Sequence, residues 1–538
     1  MTSSRTAMSS VIEPEANGST ILGVPAPRWR LPGPLSALTA AAAGVMMDWG
    51  FPDGDIWPLT LVGVGLFLWA LVGRTFGGGL LIGLIGGLAF YLIHIEWATT
   101  YLGPLPWVAL STLQALFVAV GGGLIALAYR FVPRAWPGTF GRLVLLPVIV
   151  AGLWTAREAI SSVWPYGGFA WGRVALSQTE GFFAPLLAWF GISGLSFLLV
   201  LMVAVLLQCL LEYSLPRVTR ALVAATAVVA VLAIPAFPVE TSGSTRIAAI
   251  QGNAKAGYFD QRQPGDILNA HVSATLPLVG EDVDMVVWPE NGTDLDPMTV
   301  PAAAKVFDYL TGAMNAPLVA GTITHRDDKW FNTSFVWEHG VGATQLYDKK
   351  HPVPFGEYVP DRAFWRPFAP ELIDLIARDY TPGTLPNVFD VNGIRAGVAI
   401  CFDIADDQLI QEMMQGDAQV ILAQTNNADF GHTDESVQQL AIARSRAIET
   451  GRSVVNISTV GTSAIIAPDG STLAQLEWFT AGAMVEDVPL GTSTTGATLI
   501  GRQLEWLVSG LALGGLAIAL FPRGKKIRHQ GTARNQLS

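Results

Sequence analysis

The feature that most constrains this chain is a series of apolar stretches almost free of charge. They lie at residues 35–47, 56–72, 79–95, 105–129, 143–160, 187–211, 221–236 and 504–521. About 20 such residues cross the hydrocarbon of a bilayer. Backbone placed in lipid must satisfy its own hydrogen bonds, and a helix does so. The stretches therefore predict an α-helical transmembrane bundle of about eight spans. The first is short and Ala-rich, and a cleaved signal peptide is its alternative. A polar lead of about 30 residues is longer than the usual charged leader, so the stretch reads as a span.

Charge divides sharply along the chain. Residues 241–500 hold 15 Lys and Arg against 32 Asp and Glu, a net of −17, while the rest carries +6. The total of −11 argues against a nucleic-acid partner. Over 538 residues only 14% are charged, where an ordinary soluble chain carries about 25%. An apolar, mildly basic frame thus carries one acidic domain of ordinary polarity. Basic residues orient the frame. Arg5, Arg28 and Arg30 precede the first span, and Arg74, Arg130, Arg134, Arg142, Arg217 and Arg220 fall in alternate loops. Arg523, Lys525, Lys526, Arg528 and Arg534 follow the last. All belong on the cytoplasmic side, which puts residues 241–500 outside. The expected division is a cytoplasmic tail (1–31), a membrane part of about seven helices (32–240), an extracytoplasmic domain (241–500), a last helix (501–522) and a basic cytoplasmic tail (523–538).

The loop Trp164-Pro165-Tyr166-Gly167-Gly168-Phe169-Ala170-Trp171-Gly172 falls on the outer side. Its aromatic residues suit the headgroup level, as an interfacial anchor or as part of a lipid access site.

Within 241–500, short β-branched runs alternate with helical patterns. Strands are predicted at 246–251, 285–288, 318–323, 333–337, 395–400, 419–425 and 453–458, and helices at 267–276, 301–313, 404–414 and 435–450. Continuous apolar strands such as Met285-Val286-Val287-Trp288 imply burial on both faces, hence a layered α/β fold.

Two cysteines, Cys209 and Cys401, exclude a disulfide framework. No metal-ligand spacing is present, and no metal or cofactor is expected. Cys209, beside Gln208 in a span, reads as a structural thiol. Cys401 is different. It ends the run Gly397-Val398-Ala399-Ile400, and a predicted helix follows, so it is expected on an elbow where a helix N-terminus favours a thiolate. Two other reactive side chains also follow strands: Glu290 after Val286-Val287-Trp288-Pro289, and Lys349 in Tyr347-Asp348-Lys349-Lys350-His351-Pro352-Val353-Pro354-Phe355-Gly356-Glu357. Singly, these read as an inert buried thiol, a helix cap and a solvated pair. Together, each at the end of its own strand, they point to chemistry.

These segments resemble the nitrilase superfamily, with its Glu-Lys-Cys catalytic set. The Lys349 segment is similar to the Tyr-x-Lys-x-His-x-Val-Pro-Phe-Gly-Glu signature of the apolipoprotein N-acyltransferase family. The likeness extends to Ile250-Gln251-Gly252-Asn253, to Ala441, Arg444, Arg446, Ala447 and Glu449, and to Gly461-Thr462-Ser463-Ala464. It implies an αββα sandwich carried on membrane helices. It implies Glu290 as general base, Lys349 as catalytic lysine, Cys401 as nucleophile and Glu357 as a second active-site glutamate. The backbone N–H of Phe402 would help hold the oxyanion, and His351 would shape its loop. Asp403, Trp365, Phe368, Asn426, Asp429 and Phe430 are candidate substrate contacts. The chain departs from the family at Pro352, usually Leu-like, at Phe402-Asp403, often Tyr-Glu, and at Asp429, usually Trp.

The implied reaction is ping-pong acyl transfer from a phospholipid, through a thioester, to the α-amine of a diacylglyceryl-cysteine on an apolipoprotein. The implied enzyme is a monomer in a bacterial inner membrane. The alternatives are a membrane-tethered amidase that uses water as acceptor, and a non-enzymatic scaffold. The apolar segment 355–381 would be an arm dipping into the interface, or an insertion packed on the domain.

Overall fold

All eight apolar stretches fold as helix in the computed structural model, which describes residues 30–521. The predicted tails, with Arg5, Arg28, Arg523, Lys525, Lys526, Arg528 and Arg534, lie outside the described residues. The frame begins with α1 (Gly33–Asp48), α2 (Pro58–Leu71), α3 (Phe76–His94) and the short α4 (Thr99–Leu102). It continues with α5 (Pro104–Ala135), α6 (Leu146–Ser161), α7 (Leu187–Leu211) and α8 (Arg217–Leu232). Among the described residues five helical segments are long and apolar enough to cross a membrane: Phe76–His94, Pro104–Ala135, Gly141–Ser161, Ala184–Leu211 and Gly496–Leu520. Their outward residues, such as Leu81, Leu116, Leu511 and Ile518, are exposed, as lipid-facing side chains are.

Lipid offers no hydrophobic drive between helices, so close backbone approach decides the packing. The α3 sequence places Gly79, Gly83 and Gly87 four residues apart on the face that meets α5. A Cβ there would lie 2.6 Å from the carbonyl oxygens of Gly122 and Val118, and 2.9 Å from the Cα of Ala115. No larger residue fits without separating the pair.

The remaining chain forms two six-stranded sheets. The first holds β1 (Thr241–Gln251), β2 (Met285–Val287), β3 (Leu318–Arg326), β4 (Lys329–Glu338) and β5 (Gly342–Asp348), with α9 (Asp266–Thr275) and α10 (Pro301–Met314) on its outer face. The short α11 (Arg362–Trp365) and α12 (Pro370–Leu375) follow. The second sheet starts with β6 (Val388–Val391) and β7 (Ile394–Ile400), then α13 (Asp407–Gln415), β8 (Val420–Thr425), α14 (Asp434–Thr450), β9 (Ser453–Ser458), β10 (Ser463–Ile466) and β11 (Thr472–Leu476). Then β12 (Gly482–Gly491) returns to the first sheet and α15 (Gly496–Leu520) to the membrane frame. The strand orders are β12-β1-β2-β3-β4-β5 and β11-β10-β9-β8-β7-β6. Side chains of both sheets meet in one core that includes Ile247, Val287, Val336, Val398, Leu422 and Val455. With α9 and α10 outside one sheet and α13 and α14 outside the other, this is the expected αββα sandwich.

The fourth layer is also the contact with the membrane frame. Ile410 and Met413 of α13, and Ile442, Ala443 and Ala447 of α14, share a core with Trp154, Leu187 and Ile192 of the frame. Helix α14 is therefore buried on both sides, and its buried arginines are paired. Arg446 meets Asp407 at 2.6 Å and Glu449 at 2.5 Å, and Arg173 of the frame grips Asp407 at 2.7 and 3.0 Å.

The helix predicted from residue 404 starts three residues later. A 3₁₀ turn, Cys401–Ala405, comes first, and Asp406 caps α13 by accepting from the N–H groups of Gln408 and Leu409. The structure gives bounds to the strand expected before Lys349, which is β5, and adds β6, β10, β11 and β12 to the expected set.

Candidate active site

In the parallel part of a sheet, chemistry collects at the carboxyl ends of the strands. Glu290 follows β2, Lys349 follows β5 and Cys401 follows β7, and the two stacked sheets bring these ends together. Lys349 Nζ lies 2.8 Å from Glu357 and 3.7 Å from Glu290. Asn332 of β4 donates from Nδ2 to both carboxylates, at 2.7 Å to Glu290 and 2.8 Å to Glu357. The backbone N–H of Val353 adds a bond to Glu357 at 2.6 Å. Glu290 and Lys349 are 5% and 1% exposed, so little water screens them.

Burial decides the proton positions. One ammonium faces two carboxyl groups, leaving a buried surplus of negative charge. Burial pushes Glu290 up to about 7, against the pull of Lys349, and the charge of Glu357 adds to the rise. Burial alone would drive the Lys349 ammonium down, but Glu357 and Glu290 outweigh it and hold its pKa well above the usual lysine value. The Cys401 thiol is pushed well up by burial and by the charge of Glu290. Cys401 opens a 3₁₀ turn rather than the helix, and burial outweighs the dipole, so the resting group is a thiol beside a carboxylate poised near neutrality. Its backbone φ of 52° is left-handed, which costs about 1–3 kcal/mol in a residue other than glycine and turns the sulfur off the strand axis.

The other predicted residues scatter around this centre. Asp403 is fully buried under the turn, accepting from the Tyr347 hydroxyl at 2.8 Å and the Ile400 N–H at 3.2 Å. His351 pairs with Asp406 at 2.5 Å, beside the cap of α13. Asn426 bonds the Ala256 carbonyl at 3.1 Å, and Asp429 accepts from the Tyr258 N–H at 2.7 Å. Phe430 stands edge-on to Trp97, 5.2 Å away. In segment 355–381, Ile373 and Ile376 bury with Val359 against Leu102, Phe355 and Trp365. Phe364 and Phe368 point outward, 59% and 72% exposed. The segment is thus anchored on one side and apolar on the other.

The membrane frame supplies a wall of the site. The Phe402 ring stacks on Trp171 at 5.7 Å with an interplanar angle of 3°, and on Phe169 at 6.3 Å. Trp97 and Trp171 both donate to Gln438 Oε1, at 3.1 and 2.8 Å. The 164–172 loop therefore divides its work. Trp164 and Tyr166 face outward, while Phe169 and Trp171 close against the elbow.

Three polar residues near the sulfur escaped sequence reasoning: Asn427, Glu435 and Gln439. Gln439 Nε2 lies 3.6 Å from Cys401 Sγ, and Asn427 Nδ2 bonds both Glu435, at 2.7 Å, and Gln439, at 2.9 Å. Burial pushes Glu435 up to about 8. No signal set Gln439 apart, because α14 also carries Asp434, Glu435, Ser436, Gln438, Arg444, Ser445, Arg446, Glu449 and Thr450.

Known proteins resemble this chain along most of its length. Residues 43–205 match the apolipoprotein N-acyltransferase N-terminal domain, and residues 246–497 match the carbon-nitrogen hydrolase family. An apolipoprotein N-acyltransferase from Mycolicibacterium smegmatis is 32% identical over 91% of this chain and 86% of its own length. Another from Shewanella oneidensis is 27% identical over 89% of this chain and 95% of its own. Among solved structures, a nitrilase-superfamily amidase from Nesterenkonia aligns at 17% identity with a TM-score of 0.36, covering 47% of this chain and 94% of that one. The apolar helices and the relatives together support a multi-pass membrane protein. By sequence similarity across nearly its whole length, the chain belongs to the apolipoprotein N-acyltransferase family of the nitrilase superfamily.

Proposed function

We propose that this protein moves a fatty acyl chain from a membrane phospholipid to the N-terminal α-amine of a diacylglyceryl-cysteine on an apolipoprotein. It does so as a monomer, spanning a bacterial inner membrane about eight times, with its catalytic domain on the extracytoplasmic side. The observation that carries the reading is the meeting of the buried Glu290 and Lys349 with the half-buried Cys401 at the strand ends, behind a wall built by the membrane frame.

Glu290, near neutrality, takes the thiol proton as Cys401 attacks the ester carbonyl. The Lys349 ammonium and the Phe402 backbone N–H hold the oxyanion. Collapse breaks the ester C–O bond, Glu290 returns the proton to the lysophospholipid oxygen, and a thioester remains on Cys401. The lipoprotein amine then attacks the thioester. Its proton passes to Glu290, with Glu357 beside it, the C–S bond breaks, Glu290 gives that proton to the departing sulfur, and the amide leaves with the Cys401 thiol restored. The exposed Phe364 and Phe368 suit an arm that enters the interface. Tyr166 and Trp164 face the same level. Both substrates are anchored in lipid, so a site set against the bilayer replaces a search in three dimensions by one in two.

The test uses the purified full-length protein in vesicles of labelled phospholipid. A hydroxylamine-sensitive acyl group is expected on wild type and absent from Cys401→Ala, with release on adding a diacylglyceryl lipopeptide. An adduct that persists in Cys401→Ala would sink the mechanism. Release at the same rate without lipopeptide would make water the acceptor.

A further inference from the structure

The hydrogen bonds behind the nucleophile run in one forced direction. Their origin is a backbone N–H, which can only donate: Gly461 N–H donates to Ser458 Oγ at 2.9 Å. The buried hydroxyls of Ser458 and Thr425 each have a proton to place, and both donate to Asn427 Oδ1, at 2.6 and 2.9 Å. The amide of Asn427 is thereby fixed, oxygen toward the two hydroxyls. Both hydrogens of its Nδ2 are then spoken for, one by Glu435 Oε2 at 2.7 Å and one by Gln439 Oε1 at 2.9 Å. A flipped Gln439 would set its NH₂ against the NH₂ of Asn427, two donors face to face. The remaining orientation aims Gln439 Nε2 at Cys401 Sγ, 3.6 Å away. Asn427 and Gln439 are each 2% exposed and Ser458 is 0% exposed, so the chain is dry. Gly461 is part of it. A Cβ there would lie 2.3 Å from Asn427 Oδ1 and 2.6 Å from Ser436 Oγ, so any side chain would displace the amide that sets the direction.

We propose that Gln439 is a further catalytic residue, a fixed hydrogen-bond donor to the reacting sulfur, with Asn427 and Ser458 as its positioning residues. The inference rests on Cys401 being the nucleophile. Sulfur carries negative charge twice in the cycle. In acylation it does so as the thiol proton passes to Glu290. In deacylation the C–N bond forms, the C–S bond breaks and the electron pair returns to sulfur while the amine proton goes to Glu290. A donor that cannot turn away stabilises both moments without reorganising. It also offsets the surroundings, which otherwise disfavour a thiolate: burial and the carboxyl groups of Glu290, Glu357 and Glu435, opposed by Lys349 alone.

The experiment measures the rate of Cys401 alkylation by iodoacetamide from about pH 7 to about pH 9 in the full-length protein, read by mass spectrometry of the Cys401 peptide. Removing a donor to a charged sulfur is expected to shift the thiol by about one pKa unit, a tenfold slower alkylation at each pH. Gln439→Leu should show that loss, and Ser458→Ala a smaller loss in the same direction, since Asn427 is then held by Thr425 alone. Gln439→Glu should be slower than Gln439→Leu, since it adds a carboxyl group facing the sulfur. Any of these variants that fails to elute as a single folded species is replaced by Gln439→Met. Alkylation profiles that coincide with wild type in folded Gln439→Leu and Ser458→Ala overturn the proposal. The readout needs no lipid. If wild type forms no acyl adduct while the alkylation shift appears, the proposed acyl transfer fails and the donor stands.

Discussion

Glu290 sits where burial and a cation pull its proton in opposite directions, and burial wins by enough to bring it to about 7. The consequence for rate follows from the sign. The base must be a carboxylate, and its pKa is raised, so the working form is lost as pH falls through about 7. Because the Cys401 thiol is itself raised, no standing thiolate compensates. The first-order rate of thioester formation should fall about tenfold per unit below pH 7 and level off above it. A rate flat from about pH 5 to about pH 8 would contradict the assignment. At this scale the site was partly legible. Glu290 and Cys401 stand out because each follows an apolar strand where an ionisable group is costly, and Lys349 because of the motif around it. Asn332, Asn427 and Gln439 do not, because an amide within a strand, loop or helix reads as ordinary polarity until its partners are known. The thiolate expectation failed for a related reason: a dipole can be read from sequence order, but the degree of burial cannot.

Helices α13 and α14 show how the domain is fixed to the frame. Asp407 holds Arg173 from one side and Arg446 from the other, and both guanidinium groups are buried. Removing the shared carboxylate leaves two buried cations with fewer partners. A fully buried pair would lose about 3–5 kcal/mol. Asp407 keeps 38% of its side chain open, and water screening reduces the loss to about 2–3 kcal/mol. Asp407→Ala should therefore lower the thermal transition of the detergent-solubilised protein by several degrees. The exposed pair Arg366–Asp374, at 2.8 Å, should contribute no measurable shift in Asp374→Ala. Equal effects from the two would mean that the buried cluster does not dock the domain. Elements with a continuous apolar run, such as β7, β8 and β9, were evident in the sequence. Strand β12 was hidden by Glu486, Asp487 and Pro489, which an edge strand tolerates and a central one does not. Strand β11 was hidden because its residues are mostly exposed.

Across the whole molecule the chain closes on itself. Strand β1 opens the domain and β12 ends it, and the two pair antiparallel from Thr241 opposite Gly491 to Gln251 opposite Gly482. After four intervening residues, at Gly496, α15 begins and packs against α6 and α7. For a protein made from its N-terminus this sets an order of assembly. The earlier helices enter the membrane while the seam for α15 is still open, and a domain of some 250 residues must be completed before that seam is filled. Only a domain whose last strand has found its first delivers α15 to the right place. The pairing of β1 with β12 thus sets the start of α15 beside the groove between α6 and α7. A chain stopped after residue 495 should insert its earlier helices yet be cleared by membrane proteases faster than the full-length chain in a pulse-chase measurement. Equal lifetimes would mean that the last helix plays no part in quality control. One antiparallel strand pair therefore ties the closure of the catalytic half to the seating of the last membrane helix.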